Sequence, residues 1–246
     1  MSFTTECCST PPFQTEYTPT GKTFKLKDDL DCYAVGDPNS KAAIIYLYDI
    51  FNLHPNAYQG CDILARSGFR VIMPDIFRKD PTPVQSLGNP EKFMDFINRK
   101  ATYEVLKDDF ALIKNYIKNV EGFENVFLIG FCVGSKMAMI LSAHDPFYKA
   151  GALIHPTLLE ISDFEKAQFP VVLLPAKTDR DFSEDFAVIS AKPFGNLCYH
   201  QRFDDMVHGF CSARGDWTDA LNSKRANEAF SISVSTFYKV LKSQGN

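Results

Sequence analysis

The 246-residue chain is 45% hydrophobic and sets 26 Lys and Arg against 30 Asp and Glu, for a formal net charge of −4. That length and apolar content suit one compact domain with its own core, and the mild acidity, with no Lys/Arg run beyond two residues, argues against nucleic acid as a partner. Seven cysteines cannot all pair within one chain, the opening MSFTTECCSTPPF has neither the basic nor the apolar region of a secretory leader, and no apolar run approaches the ~20 residues of a bilayer span. The expectation is a cytoplasmic protein with reduced thiols and no membrane contact.

Residues 1–20 read as an extended N-terminal segment, because Pro11, Pro12 and Pro19 disfavour a helix. Cys7 and Cys8 lack the second ligand pair that zinc wants, and fit a tail better than a metal site. Residues 21–246 read as a single domain. Lys22–Leu26 and Leu30–Ala34 flank Asp28 and Asp29 as the arms of an edge hairpin would. Ala42–Tyr48 is an apolar run too short for a helix; the loop DIFNLHPN follows it, then a helical stretch that ends at Gly68.

Phe69–Pro74 repeats the buried-strand pattern and opens into the proline-rich loop PDIFRKDPTP. Over Glu104–Val120 the apolar residues Val105, Leu106, Phe110, Ile113 and Ile117 keep a helical period, which Gly122 stops. Short apolar runs recur at Asn125–Gly130, Ala150–His155, Pro170–Pro175 and Asn196–Phe203, and Ala220–Leu241 closes the chain with a helical stripe. Apolar strands alternating with helices predict a doubly wound, mostly parallel α/β sheet with helices on both faces. In such a sheet the loops after Tyr48, Met73, Gly130, His155 and Leu174 share one rim, where ligands bind.

Chemistry concentrates at Gly130-Phe131-Cys132-Val133-Gly134, a G-x-C-x-G corner between strand and helix that lifts its central side chain above the sheet. The glycines allow the helix to turn back across the strand, and a sulfur at a helix N-terminus is favoured as thiolate. Cys61, Cys198 and Cys211 read instead as apolar filler. An acid and then a histidine should follow along the chain. Asp179 and His208 supply that order, with Asp181 the rival acid and His155 the rival base. His54, like His155, falls in a rim loop, while His144 and His200 belong to a turn and a strand.

Five pieces in this order, YLYDIFN, GFRVIMPDIF, GFCVGSKMA, KTDRD and VHGFCSARGD, spread over Lys25–Leu241, together resemble the dienelactone hydrolase family of the α/β-hydrolase fold. The resemblance implies Cys132 as nucleophile, His208 as base and then acid, Asp179 as the group orienting the imidazole, and the backbone N–H groups of Ile50 and Val133 as the oxyanion hole. It implies an acidic residue at Asp49 that contacts the resting cysteine, although aspartate stands here where the family has glutamate, and an Asp at a strand end also commonly caps the next turn. Arginines bind the substrate carboxylate in family members that take anionic lactones; Arg78, beside Lys79, and Arg214 lie in the corresponding loops.

The expected activity is cysteine-dependent hydrolysis of a small lactone or ester through an acyl-thiol intermediate, with no metal or cofactor. The alternative is a redox-sensing or ligand-binding protein that keeps the fold. Oligomeric state is not legible in the sequence.

Overall fold

The structure is a computed structural model that describes residues 10–81 and 87–245. Strands β1 (Lys22–Lys27) and β2 (Leu30–Val35) form the expected antiparallel hairpin. In β1 the lysines face solvent while Phe24 and Leu26 pack against the core, which keeps the sheet's outer edge charged. The remaining strands are β3 (Ala43–Leu47), β4 (Arg70–Pro74), β5 (Val126–Phe131), β6 (Tyr148–Ile154), β7 (Val171–Leu174) and β8 (Tyr199–His200). Every residue of β3 and β5 is buried, because helices cover both faces of the sheet.

The helices are α1 (Pro55–Arg66), α2 (Pro90–Lys100), α3 (Tyr103–Asn115), α4 (Val133–His144), α5 (Ile161–Lys166), α6 (Ser183–Ser190) and α7 (Ala220–Ser243). The strand order is β1-β2-β4-β3-β5-β6-β7-β8, antiparallel at β1–β2 and β2–β4 and parallel from β4 to β8. The chain steps from β3 outward to β4 and then returns to the other side of β3 as β5. The loops after β3 and β5 therefore flank a topological switch point, where such sheets bind ligands.

Two elements differ from expectation. The helix read over Glu104–Val120 gives way after Asn115 to a π turn, Tyr116–Val120. The wider turn packs the Tyr116 ring, tilted, against Phe24, at 4.9 Å between centroids, and brings its hydroxyl to Glu121. The last strand, read as Asn196–Phe203, shrinks to Tyr199–His200, preceded by a 3-10 turn and followed by a lone bridge from Ala176 to Phe203. The chain peels off there because Arg202 is drawn to the carbonyls of Lys177, Asp179 and Arg180. Helix α2 has no counterpart in the sequence reading, although its start carries a plain signal: the Asn89 side chain accepts from Lys92 N–H and Pro90 opens the first turn.

Candidate active site

Between β5 and α4 stands one residue, Cys132, with φ +52° and ψ −116°. For a side chain with a Cβ that conformation costs about 1–3 kcal/mol and persists only where the surroundings impose it. They do so through the peptide. Cys132 N–H donates to Ile154 O at 3.2 Å, and its carbonyl accepts from Ser135 and Thr157 N–H at 3.1 and 3.3 Å. The glycines answer the steric need read from the sequence: a Cβ on Gly134 would strike the Leu47 carbonyl, and one on Gly130 the carbonyl of Gly134. Cys132 therefore sits at the N-terminus of α4, where backbone N–H groups have no intrahelical acceptor.

Asp179 and His208, 29 residues apart in the chain, reach each other from two loops: His208 Nδ1 donates to Asp179 Oδ1 at 2.6 Å, with both side chains buried. The second carboxylate oxygen of Asp179 accepts from Ala176 N–H at 2.7 Å. Arg202 donates to the Asp179 carbonyl, and the Thr178 hydroxyl accepts the N–H of His208. Since Nδ1 carries the proton given to Asp179, Nε2 is the nitrogen left to accept one. Asp181, two residues on, serves a different purpose. It is exposed and takes up the Ser183 hydroxyl and N–H at the start of α6, contacts that hold its carboxyl below the usual range.

His155 follows β6 and packs its ring edge-on against His208, 5.0 Å between centroids, and 5.8 Å from Phe131, the residue before Cys132. Cys132, His155, Asp179 and His208 thus form one connected set through Ile154, Thr157 and the ring contacts. The set is enclosed: relative exposure is 2% for Cys132 and His208, 5% for Asp179 and 0% for His155.

Asp49 and Ile50, after β3, are buried as well. The Asp49 carboxylate accepts from Phe51 N–H at 2.8 Å, Ser212 Oγ–H at 2.6 Å and Ala213 N–H at 3.2 Å. The first of these contacts is the local turn cap weighed from the sequence. The other two join the loop that carries Ile50 to the loop that carries His208. Ser212 escapes the sequence reading, although it lies within the piece VHGFCSARGD.

The two arginines are committed to the chain's own oxygens. Arg78 donates to Asp109, Asp29 and the Asp75 carbonyl, and neighbouring Lys79 pairs with Asp31. This fixes Arg78 between the β1–β2 turn and α3, a tie the sequence cannot show because its partners lie 49 and 31 residues away. Arg214 donates Nε–H to Thr10 O at 2.7 Å and lies over the Phe51 ring. His54 caps α1 by accepting from Asn56 N–H, and its other nitrogen donates to Phe13 O.

Cys61 and Cys211 are fully buried fillers, as read, and burial pushes both thiols up; Cys198 is only half-buried. Cys7 and Cys8 lie outside the described residues. Among the described residues no cluster of His, Cys, Asp and Glu side chains could hold a metal ion, and no helix is long and apolar enough to cross a membrane.

Comparison with known proteins agrees with this fold. The sequence model of the dienelactone hydrolase family matches residues 30–241. An uncharacterised AIM2 family protein of Schizosaccharomyces pombe is 28% identical, with 92% of this chain and 93% of that one covered. A protein named dienlactone hydrolase 1 from Gibberella moniliformis is 25% identical over 79% of this chain and 78% of its own length. Among solved structures, a candidate dienelactone hydrolase of Klebsiella pneumoniae superposes with a TM-score of 0.67 at 17% identity, covering 85% of this chain and 92% of that one. A dienelactone hydrolase-like promiscuous phosphotriesterase from metagenomic libraries superposes with a TM-score of 0.64 at 16% identity, covering 91% and 98%. The chain, with its mostly parallel eight-stranded sheet and its strained cysteine corner, belongs to the dienelactone hydrolase family of the α/β-hydrolase fold.

Proposed function

We propose that this family hydrolase cleaves small esters or lactones with Cys132 as nucleophile. His208 Nε2 takes the proton from the thiol as Sγ attacks the carbonyl carbon, and the C=O electron pair moves onto oxygen. The N–H groups of Val133 and Ile50 receive that oxyanion; removing one such donor typically costs about 3 kcal/mol in the barrier. Collapse of the tetrahedral species breaks the C–O bond, and the leaving oxygen takes the proton held on His208. Water, deprotonated by the same nitrogen, then attacks the acyl-thiol and releases a carboxylic acid and the thiol. Asp179 fixes the tautomer and steadies the imidazolium.

Asp49 acts in this reading as the tie between the oxyanion loop and the histidine loop. No carboxylate-binding role is assigned to Arg78 or Arg214, whose contacts lie within the chain. His155 stands beside the base, its ring against that of His208.

The observation that carries the reading is the buried His208–Asp179 pair at 2.6 Å on the rim where β5 delivers a strained cysteine. The test is turnover of a panel of p-nitrophenyl esters and lactones. Cys132→Ala and prior alkylation with iodoacetamide are each expected to abolish it, and turnover that survives both would overturn the proposal.

A further inference from the structure

The turn after β6, His155-Pro156-Thr157-Leu158, holds two residues in the left-handed region, His155 at φ +37° and Leu158 at φ +60°. Neither is glycine, and such strain is kept where the surroundings fix it for a purpose. The turn is also buried, with Thr157 and Leu158 each at 4% exposure. Its backbone is fastened to the nucleophile: Thr157 N–H donates to the Cys132 carbonyl. Its imidazole lies against the base.

Within this turn the Thr157 hydroxyl is buried with no hydrogen-bonding partner among the described residues. Buried hydroxyls are nearly always satisfied, and an orphan costs stability that a valine of the same shape would return. In the loop after β3, on the same rim of the sheet, the Asn52 side-chain oxygen is buried in the same condition. Orphaned polar groups in two loops of the rim that carries one strained corner are what a site built to bond a polar ligand looks like before it is filled.

We infer that Thr157 is a substrate-contacting specificity residue whose hydroxyl bonds a polar substituent, a hydroxyl or oxo group, beside the scissile carbonyl. The preferred substrates are then hydroxylated or oxo-substituted lactones and esters rather than plain ones. The reason is asymmetric: a substrate lacking the group leaves Thr157 unsatisfied in the complex, so sites of this kind discriminate strongly against the plain analogue. This inference rests on the proposed hydrolysis at Cys132.

The test compares α-hydroxy-γ-butyrolactone with γ-butyrolactone in wild type, Thr157→Val and Thr157→Ser. Expected is a wild-type preference in kcat/KM of at least tenfold for the hydroxylated ring. That preference collapses towards unity in Thr157→Val, returns in Thr157→Ser, and the melting temperature of the valine variant is equal or higher. Loss of both substrates in equal proportion, or an unchanged ratio, overturns the assignment, since a structural role would not separate them. Calorimetric binding of the two lactones to Cys132→Ala, with and without Thr157→Val, reads recognition apart from turnover. Failure of hydrolysis therefore leaves the Thr157 comparison decisive, and equal affinities there overturn it too.

Discussion

At the residue scale, chemistry depends on which of two aspartates faces the imidazole. Asp179 turns back on the strand it follows, taking Ala176 N–H with one oxygen and His208 with the other, whereas Asp181 is spent on the first turn of α6. Asp179→Asn presents an amide that can hold His208 in the wrong tautomer; kcat is expected to fall on the order of 10³–10⁴-fold. Asp181→Asn should stay within about twofold, because a surface cap change costs stability of at most ~1 kcal/mol rather than rate. Steady-state kinetics on the pair decides, and comparable losses in both would reject the assignment of the acid. In the sequence these residues are two positions apart and chemically alike, so only the path of the loop separates them. Cys132 was more legible, because its two flanking glycines record a steric demand that exists wherever a helix turns straight back across its strand.

At the scale of elements, the segment Thr10–Thr20 has neither helix nor strand, yet it ties the loop after β3 to the loop that carries His208. Phe13 N–H donates to Ala213 O at 2.8 Å in the loop that carries His208, and Phe13 O accepts from His54 Nε2 at 2.8 Å in the loop after β3. Further along, Tyr17 and Thr20 fasten the same segment to the buried Asp62. Prolines announced an extended conformation, but nothing local could announce partners 41 and 200 residues away, since backbone groups carry no sequence signal. Two variants separate this strap from the helix cap it shares with His54. His54→Asn keeps a good N-cap for α1 but is too short to reach Phe13, and Phe13→Pro removes the donor to Ala213. Each should lose about 1 kcal/mol of stability, the worth of one hydrogen bond, and raise amide exchange in residues 49–54 and 208–215 roughly fivefold. Unaltered exchange in either loop would mean that the strap merely lies on the surface.

At the scale of the molecule, a mostly parallel sheet follows from short buried runs alternating with helices, and so the rim at the strands' carboxyl ends could be located before any contact was known. The opposite end of the sheet could not, because it is closed by charges distant in sequence. Arg70, which opens β4, forks onto Glu121 just beyond the π turn at 2.9 and 2.6 Å, with the Tyr116 hydroxyl completing the set. Burial works to raise the Glu121 carboxyl, but the Arg70 and Tyr116 hydrogen bonds outweigh it and hold the group below its ordinary value of 4.5. A carboxyl depressed in the folded state stabilises it above the unfolded value, and that contribution drains away as pH falls through the folded value. Urea unfolding should therefore show wild type exceeding Glu121→Gln by about 2 kcal/mol at pH 7, the scale of a charge-assisted pair. The gap should narrow steadily below the ordinary 4.5 of a glutamate as the wild-type carboxyl takes up its proton. A gap that stays constant from neutral pH into acid would assign the effect to shape and neutral hydrogen bonding, with the ion pair contributing nothing to holding β4 against the end of α3.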